Sequence, residues 1–237
     1  MLNKQIINLI QSDYSKGVAS DDSRLTSRKI YTKMLTIRNR LLVQELNKKK
    51  KLSVWNYQTL PCVELIEVDI HECPCAPPSG CTILRSRYKI PKINSSLYGY
   101  AINAITTINR KEIFPMDPTA VDTIEGNKYT RNAIRYFIQD GYLYVVAPFT
   151  LKMVVVSGIF EDPIEAAKFK NFCKATECES CGECLDYLNL EFPIDGDLIE
   201  PLVQLATQDL LSKYLSITSD NRNDNQDERV NQNGKQS

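Results

Sequence analysis

Apolar residues recur at helical spacing near both ends of the chain and alternate with polar ones in the middle, which predicts helices bracketing a β-rich centre. Residues 2–15 carry Ile6, Ile7, Leu9 and Ile10 and predict a short helix ended by Lys16-Gly17. A longer helix is predicted from Leu25, with Ile30, Met34, Ile37 and Leu41 on one face and Tyr31, Leu35, Leu42 and Leu46 widening it. Ser20 to Ser23 supply candidate N-caps, and Lys48 to Lys51 place positive charge at its C-terminal end. The last patterned stretch, FPIDGDLIEPLVQLATQDLLSKYLSI over residues 192–217, repeats Ile199, Val203, Ala206, Leu210, Tyr214 and Ile217 at helical spacing. Leu198, Leu202 and Leu205 form a second stripe, so this helix needs partners on more than one side. Asp195 or Asp197 is placed to cap it, the latter in a capping box with Glu200.

Between the helices the periodicity changes. Extended segments are predicted over residues 54–60 and 63–70, separated by Pro61, and then over 82–88, 97–108, 129–138, 142–146 and 152–160. Asp140-Gly141 is a hairpin turn signal, and Glu161-Asp162-Pro163 ends the last strand before a short helix over 164–172. HECPCAPPSGC, residues 71–81, is too rich in Pro and Gly for either regular element. The fold class is α+β, with a mostly antiparallel central sheet. The expected parts are an N-terminal basic helical segment (1–51), a β-rich domain (52–172), a Cys-rich loop with the C-terminal helix (173–217) and an extended polar tail (218–237). Residues 219–237 contain one apolar side chain, Val230, and cannot form a core of their own.

Charge adds an asymmetry to this picture. The formal net charge is zero over 237 residues, yet residues 1–51 hold twelve Lys and Arg against four acids. The remainder is correspondingly acidic, a division that suits contact between copies or with an acidic partner. No apolar run is long enough to span a bilayer, and the first residues lack a signal peptide's layout, which predicts synthesis in the cytoplasm.

Eight cysteines in such a chain argue against a disulfide scaffold, because reducing cytosol keeps thiols free. Cys173, Cys178, Cys181 and Cys184 stand close enough in one loop to supply the four ligands of a structural zinc. Cys62, Cys73, Cys75 and Cys81 form a second candidate cluster, with His71 nearby. Structural thiols without metal, free or paired, are the alternative reading of both groups. His71 is the single histidine, so most triads and zinc hydrolase sites would have to pass through it. No phosphate-binding glycine loop and no carboxylate pair is present, and no enzyme is expected. Tyr136, Phe137, Tyr142 and Tyr144 could stack bases, which with Lys48 to Lys51 and zinc would make a zinc-stabilised nucleic-acid-binding module; packing within the sheet is the favoured reading.

Seven stretches taken together, SDDSRLTSRKIYTKMLTIRNRLLVQEL, WNYQTLPCVELIEV, HECPCAPPSGCTILRSRYKIP, SLYGYAI, DGYLYV, VVVSGIFEDP and LNLEFPIDGDLIEPLVQLATQDL, resemble the ring proteins of crAss-like bacteriophages. Those proteins form part of the head-to-tail barrel beneath the portal. The resemblance implies a virion structural protein in a dodecameric ring, assembled in the host cytoplasm, with the portal protein and other barrel rings as partners. It also implies passage of phage DNA through the lumen without sequence-specific binding, and no catalytic residues. Joined to the charge division, it makes Arg28, Lys29, Lys33 and Arg38 of the basic helix, and Leu202, Val203 and Leu210 of the last helix, the expected subunit-interface residues.

Overall fold

The protein is described here by a computed structural model covering residues 1–15, 25–49, 51–69, 82–118, 132–169 and 186–212. Its contacts divide these residues into two units, Met1–Leu42 with the described residues from Leu188 onward, and Val43–Tyr187.

The first unit is helical. Helix α1 (Asn3–Tyr14) turns Ile6, Ile7 and Ile10 inward, as its spacing predicts. The Gln5 side chain accepts the Leu2 N–H at 3.0 Å, which satisfies one of the donors left over at a helix start. Helix α2 (Ser27–Asn47) buries Ile30, Tyr31, Met34, Ile37, Arg38 and Leu42. Thr26 caps its first turn through its carbonyl to Lys29 and Ile30, and the expected caps at Ser20 to Ser23 lie outside the described residues. The last described helix, α4 over residues 196–212, buries Leu202, Val203 and Ala206. Its first turn begins at Asp195, whose carbonyl accepts the Leu198 N–H at 3.0 Å; Asp197 lies within the helix rather than capping it.

Backbone bonds join the two ends of the chain within this unit. Leu2 pairs antiparallel with Glu191, the Asn3 N–H reaches Leu190 O at 3.0 Å, and the Phe192 N–H reaches Met1 O at 2.9 Å. That short ladder delivers Phe192 and Ile194 to the helical core, where both are buried. The segment preceding α4 is thereby fixed by the N-terminus.

The second unit is a closed seven-strand barrel, confirming the β-rich centre of an α+β chain. Its strands are β1 (Gln58–Asp69), β2 (Thr82–Ser86), β5 (Ile102–Thr107), β6 (Glu112–Pro115), β7 (Arg135–Gln139), β8 (Tyr142–Val146) and β9 (Met153–Gly158), in the order β1-β2-β8-β7-β6-β5-β9. A separate hairpin is made by β3 (Ser95–Ser96) and β4 (Gly99–Tyr100). Register places buried, mostly apolar residues in rows: Leu60 and Ile105 flank Val156, Val63 and Thr107 flank Val154, and Leu84 and Tyr136 flank Val145. All nine are buried. Because side chains alternate across a strand, one slipped residue would turn such a row outward, so the rows hold the register.

Three departures from the sequence pattern have local causes. Residues 54–56 form a 3-10 turn rather than a strand. Pro61 does not separate two strands, because β1 bulges between Leu60 and Val63 and a bulge tolerates the missing N–H. Cys62, in that bulge, takes a left-handed φ of 56°. The segment expected as one strand over 97–108 is instead the β3–β4 hairpin followed by β5. The Asp140-Gly141 turn forms as predicted, with φ of 52° and 80°, the positive pair that a two-residue hairpin requires. Asp162 Oδ1 accepts the Ile164 N–H at 2.9 Å and caps the short helix α3 (Pro163–Lys168).

Ser86 ends β2 with its side chain. Its Oγ accepts the Leu143 N–H at 3.1 Å and donates to Tyr88 O at 2.8 Å, with the residue fully buried. Ser86→Ala leaves both backbone groups without that partner and is expected to cost about 1–3 kcal/mol, read as a lower urea midpoint. An unchanged midpoint would show that Ser86 only fills space.

Burial pushes the Tyr136 phenol above its ordinary value. The folded chain therefore holds that proton more tightly than the unfolded chain does. Stability on this account is present below the unfolded value near pH ~10 and is lost as pH rises through the folded one. Urea midpoints between neutral and strongly alkaline pH should fall more steeply for the parent than for Tyr136→Phe; parallel curves would remove the effect.

Candidate assembly surfaces

The predicted interface residues separate into two groups. Arg28 and Lys29 lie exposed on α2, and Leu210 is half-buried on α4. Lys33 is ion-paired with Asp209, which links α2 to α4. Arg38, Leu202 and Val203 are buried inside the helical unit of their own chain. These three are corrected from interface to core residues, since a side chain sealed by its own protomer has no surface to offer a neighbour. Arg38 has no exposed surface at all: its Nε donates to Pro193 O at 2.9 Å, its Nη1 to Asn39 Oδ1 at 3.1 Å, and its guanidinium lies 5.7 Å from the Phe192 ring centroid. Phe192 in turn meets Tyr31 edge to face at 6.5 Å.

The lysines at the end of α2 are partly engaged. Lys48 Nζ reaches Glu45 Oε1 at 2.8 Å, and Lys49 Nζ lies 4.7 Å from the Tyr98 ring centroid. Of the aromatic set on the strands, Phe137 and Tyr144 stack on one another across β7 and β8, with centroids 4.9 Å apart and planes 6° from parallel. Both are buried, as is Tyr136. Tyr142 carries Arg85 at 4.6 Å and Lys89 at 5.6 Å from its ring. The aromatics thus pack the barrel, and a base-stacking platform has no ring left open among these buried three.

Cys173, Cys178, Cys181, Cys184, Cys73, Cys75, Cys81 and His71 lie outside the described residues, as does the tail after Thr218. Cys62 is disulfide-bonded, which at that position answers to the paired-thiol reading and not to a metal ligand. Among the described residues no group of His, Cys, Asp and Glu could hold a metal ion, and no helix is long and apolar enough to cross a membrane.

What the described surface does offer is a set of large apolar side chains on turns and loops. The β3–β4 hairpin exposes Leu97, Tyr98 and Tyr100. It is held firmly nonetheless. Asn47 Oδ1 accepts the Leu97 N–H at 3.0 Å, and Ser96 Oγ accepts the Tyr98 N–H at 3.2 Å and donates to Gly99 O at 3.1 Å. Gly99, at φ 110°, turns the chain where a side chain would be strained. Val54 and Trp55 are exposed on the 3-10 turn before β1, and Ile108 and Phe149 on loops elsewhere. Sequence pattern hid these residues, because apolar side chains in a strand-like stretch read as core. The clue available was SSLYGY, where Ser-Ser and Gly interrupt the strand.

The described residues thus present a closed barrel and turns that carry apolar side chains into solvent. The chain belongs to the phage tail ring protein 2 family, which matches residues 5–229. It is similar to ring protein 2 of Bacteroides phage crAss001, with 29% identity over 223 residues, 87% of this chain and 89% of that protein. The resemblance to crAss-like phage ring proteins is confirmed, and the chain is a structural ring component of the phage virion tail.

Proposed function

We propose that copies of this chain close into a dodecameric homo-oligomeric ring in the head-to-tail connector of a podovirus-like phage, seated among the portal protein and other barrel rings. Its role is mechanical and not catalytic: it forms a section of the wall through which DNA passes without sequence-specific contact. The observation that carries this reading is the family match over residues 5–229. The barrel supports it, since a sheet closed on itself cannot grow by strand addition and leaves assembly to side-chain surfaces. A lining that gripped phosphate would hold the genome in place, and engagement of Lys48 and Lys49 within the chain suits a wall that does not. The proposal is tested by light scattering on the purified protein, alone and with its portal protein. A discrete ring-sized species is expected; a monomer in both samples would contradict it. Salt-dependent DNA affinity of the isolated chain would instead favour a nucleic-acid-binding module.

A further inference from the structure

The exposed charges of the helical unit are sorted by sign. Arg28, Lys29 and Arg40 stand out from α2, and that open side of the helix carries no exposed acid. Glu191, Asp197 and Glu200 stand out from α4 and the residues leading into it, with no exposed base among them. Helix α1 is mixed, with Lys4 and Asp13. Each sign forms a stripe. Arg28, Thr32, Thr36 and Arg40 follow one another at one-turn intervals along α2, spanning about 18 Å. Asp197 and Glu200 continue into the exposed Gln204 and Gln208 along α4, spanning about 16 Å. Thr32 and Thr36 turn their hydroxyls back onto Arg28 O and Thr32 O at 3.0 and 3.1 Å, which leaves the cations as the donors of the α2 stripe. The ion pair between these helices, Lys33 with Asp209, uses neither stripe. Arg28, Lys29, Arg40, Glu191, Asp197 and Glu200 have no ion pair among the described residues, so the two stripes of one copy do not neutralise each other.

A ring of identical copies repeats a heterologous contact, in which one surface of each subunit meets a different surface of the next. Opposite charge selects which two surfaces meet, because stripes of like sign repel and the wrong pairing is excluded. We infer that the Arg28, Lys29 and Arg40 stripe of α2 in one copy lies against the acidic side of α4 in the next, with Asp197 and Glu200 foremost. This contact rests on the homo-oligomeric ring proposed above and assigns its two mating surfaces. The occupant is a second copy rather than DNA because the chain itself carries a stripe of opposite sign and nearly the same length. Exposed pairs contribute little each, so the charges choose and align the surfaces, and association through them weakens as salt rises.

The test uses the full chain in charge-reversed variants, with portal protein present if the parent needs it to assemble. One carries Lys29→Glu and Arg40→Glu, the second Asp197→Lys and Glu200→Lys, and a third all four changes. These positions are exposed, so thermal unfolding of each variant should stay close to that of the parent. If lysine at the start of α4 opposes the helix dipole enough to unfold it, Asp197→Asn with Glu200→Gln takes its place and should weaken assembly about tenfold. Each of the first two variants alone should assemble about 100-fold less readily than the parent, since like charges then face one another. The third should regain rings, and so should an equal mixture of the first two, in which copies alternate; native mass spectrometry reads both. Variants that assemble as the parent does would overturn this contact and leave the ring reading intact. So would failure of both the combined variant and the mixture to restore what the first two lose. Duplex DNA binding that the first variant loses, with its assembly unchanged, would assign the α2 stripe to nucleic acid. A parent that is monomeric with and without portal protein would overturn the homo-oligomeric ring and the contact with it.

Discussion

Val203→Asp is expected to lower the stability of the helical unit by about 3–5 kcal/mol, the range for an uncompensated charge or polar group forced into apolar surroundings. Val203 lies on the buried stripe of α4 beside Leu202 and Ala206, and its neighbour Gln204 faces solvent. Gln204→Asp, one position along, is therefore the matched control and should stay within about 0.5 kcal/mol of the parent. Urea unfolding followed by circular dichroism distinguishes them. Coincident transitions for the two variants would place Val203 on the surface and remove α4 from the core.

Arg38→Ala should be comparably damaging, at about 3–5 kcal/mol, for a different reason: it empties the volume of a fully buried long side chain and removes the donor to Pro193 O. That bond ties α2 to the segment immediately before α4, and the guanidinium also rests near the Phe192 ring. Arg38→Met separates the two contributions. It restores most of the packing and leaves the Pro193 carbonyl without its donor, so it should cost about 1–3 kcal/mol. Arg38→Lys provides a charge without the planar fork and should not recover the parent. If Arg38→Ala unfolds with the parent, Arg38 does not join these segments.

The helices were legible because burial on one side of a helix imposes a period that side chains display directly: Ile6, Ile7 and Ile10 in α1, and Ile30, Met34 and Ile37 in α2. The Asp140-Gly141 turn was legible because few residue pairs accept two positive φ angles. The pairing of Leu2 with Glu191 was not, since it is made by backbone groups that every sequence carries. Arg38 reads from the sequence as a subunit-interface residue of the basic helix, yet it is buried in its own unit. Its position gave a signal all the same, four residues after Met34 and four before Leu42, both buried. The α4 residues Leu202 and Val203 illustrate the converse: their burial was expected, but apolar character alone does not say whether the covering surface belongs to the same chain or to the next. The exposed apolar side chains were the least legible part. Leu97, Tyr98, Ile108 and Phe149 have core-like side chains, and only the turn geometry of the barrel shows them pointing into solvent.

The central claim is that identical copies close into a ring, and single-particle imaging of the purified assembly viewed end on tests it most directly. The account predicts a closed ring with one rotational axis, dodecameric, an open centre, and each copy touching its neighbours through two different surfaces. Two-fold dimers joined through one shared surface, or particles without a central opening, would contradict it.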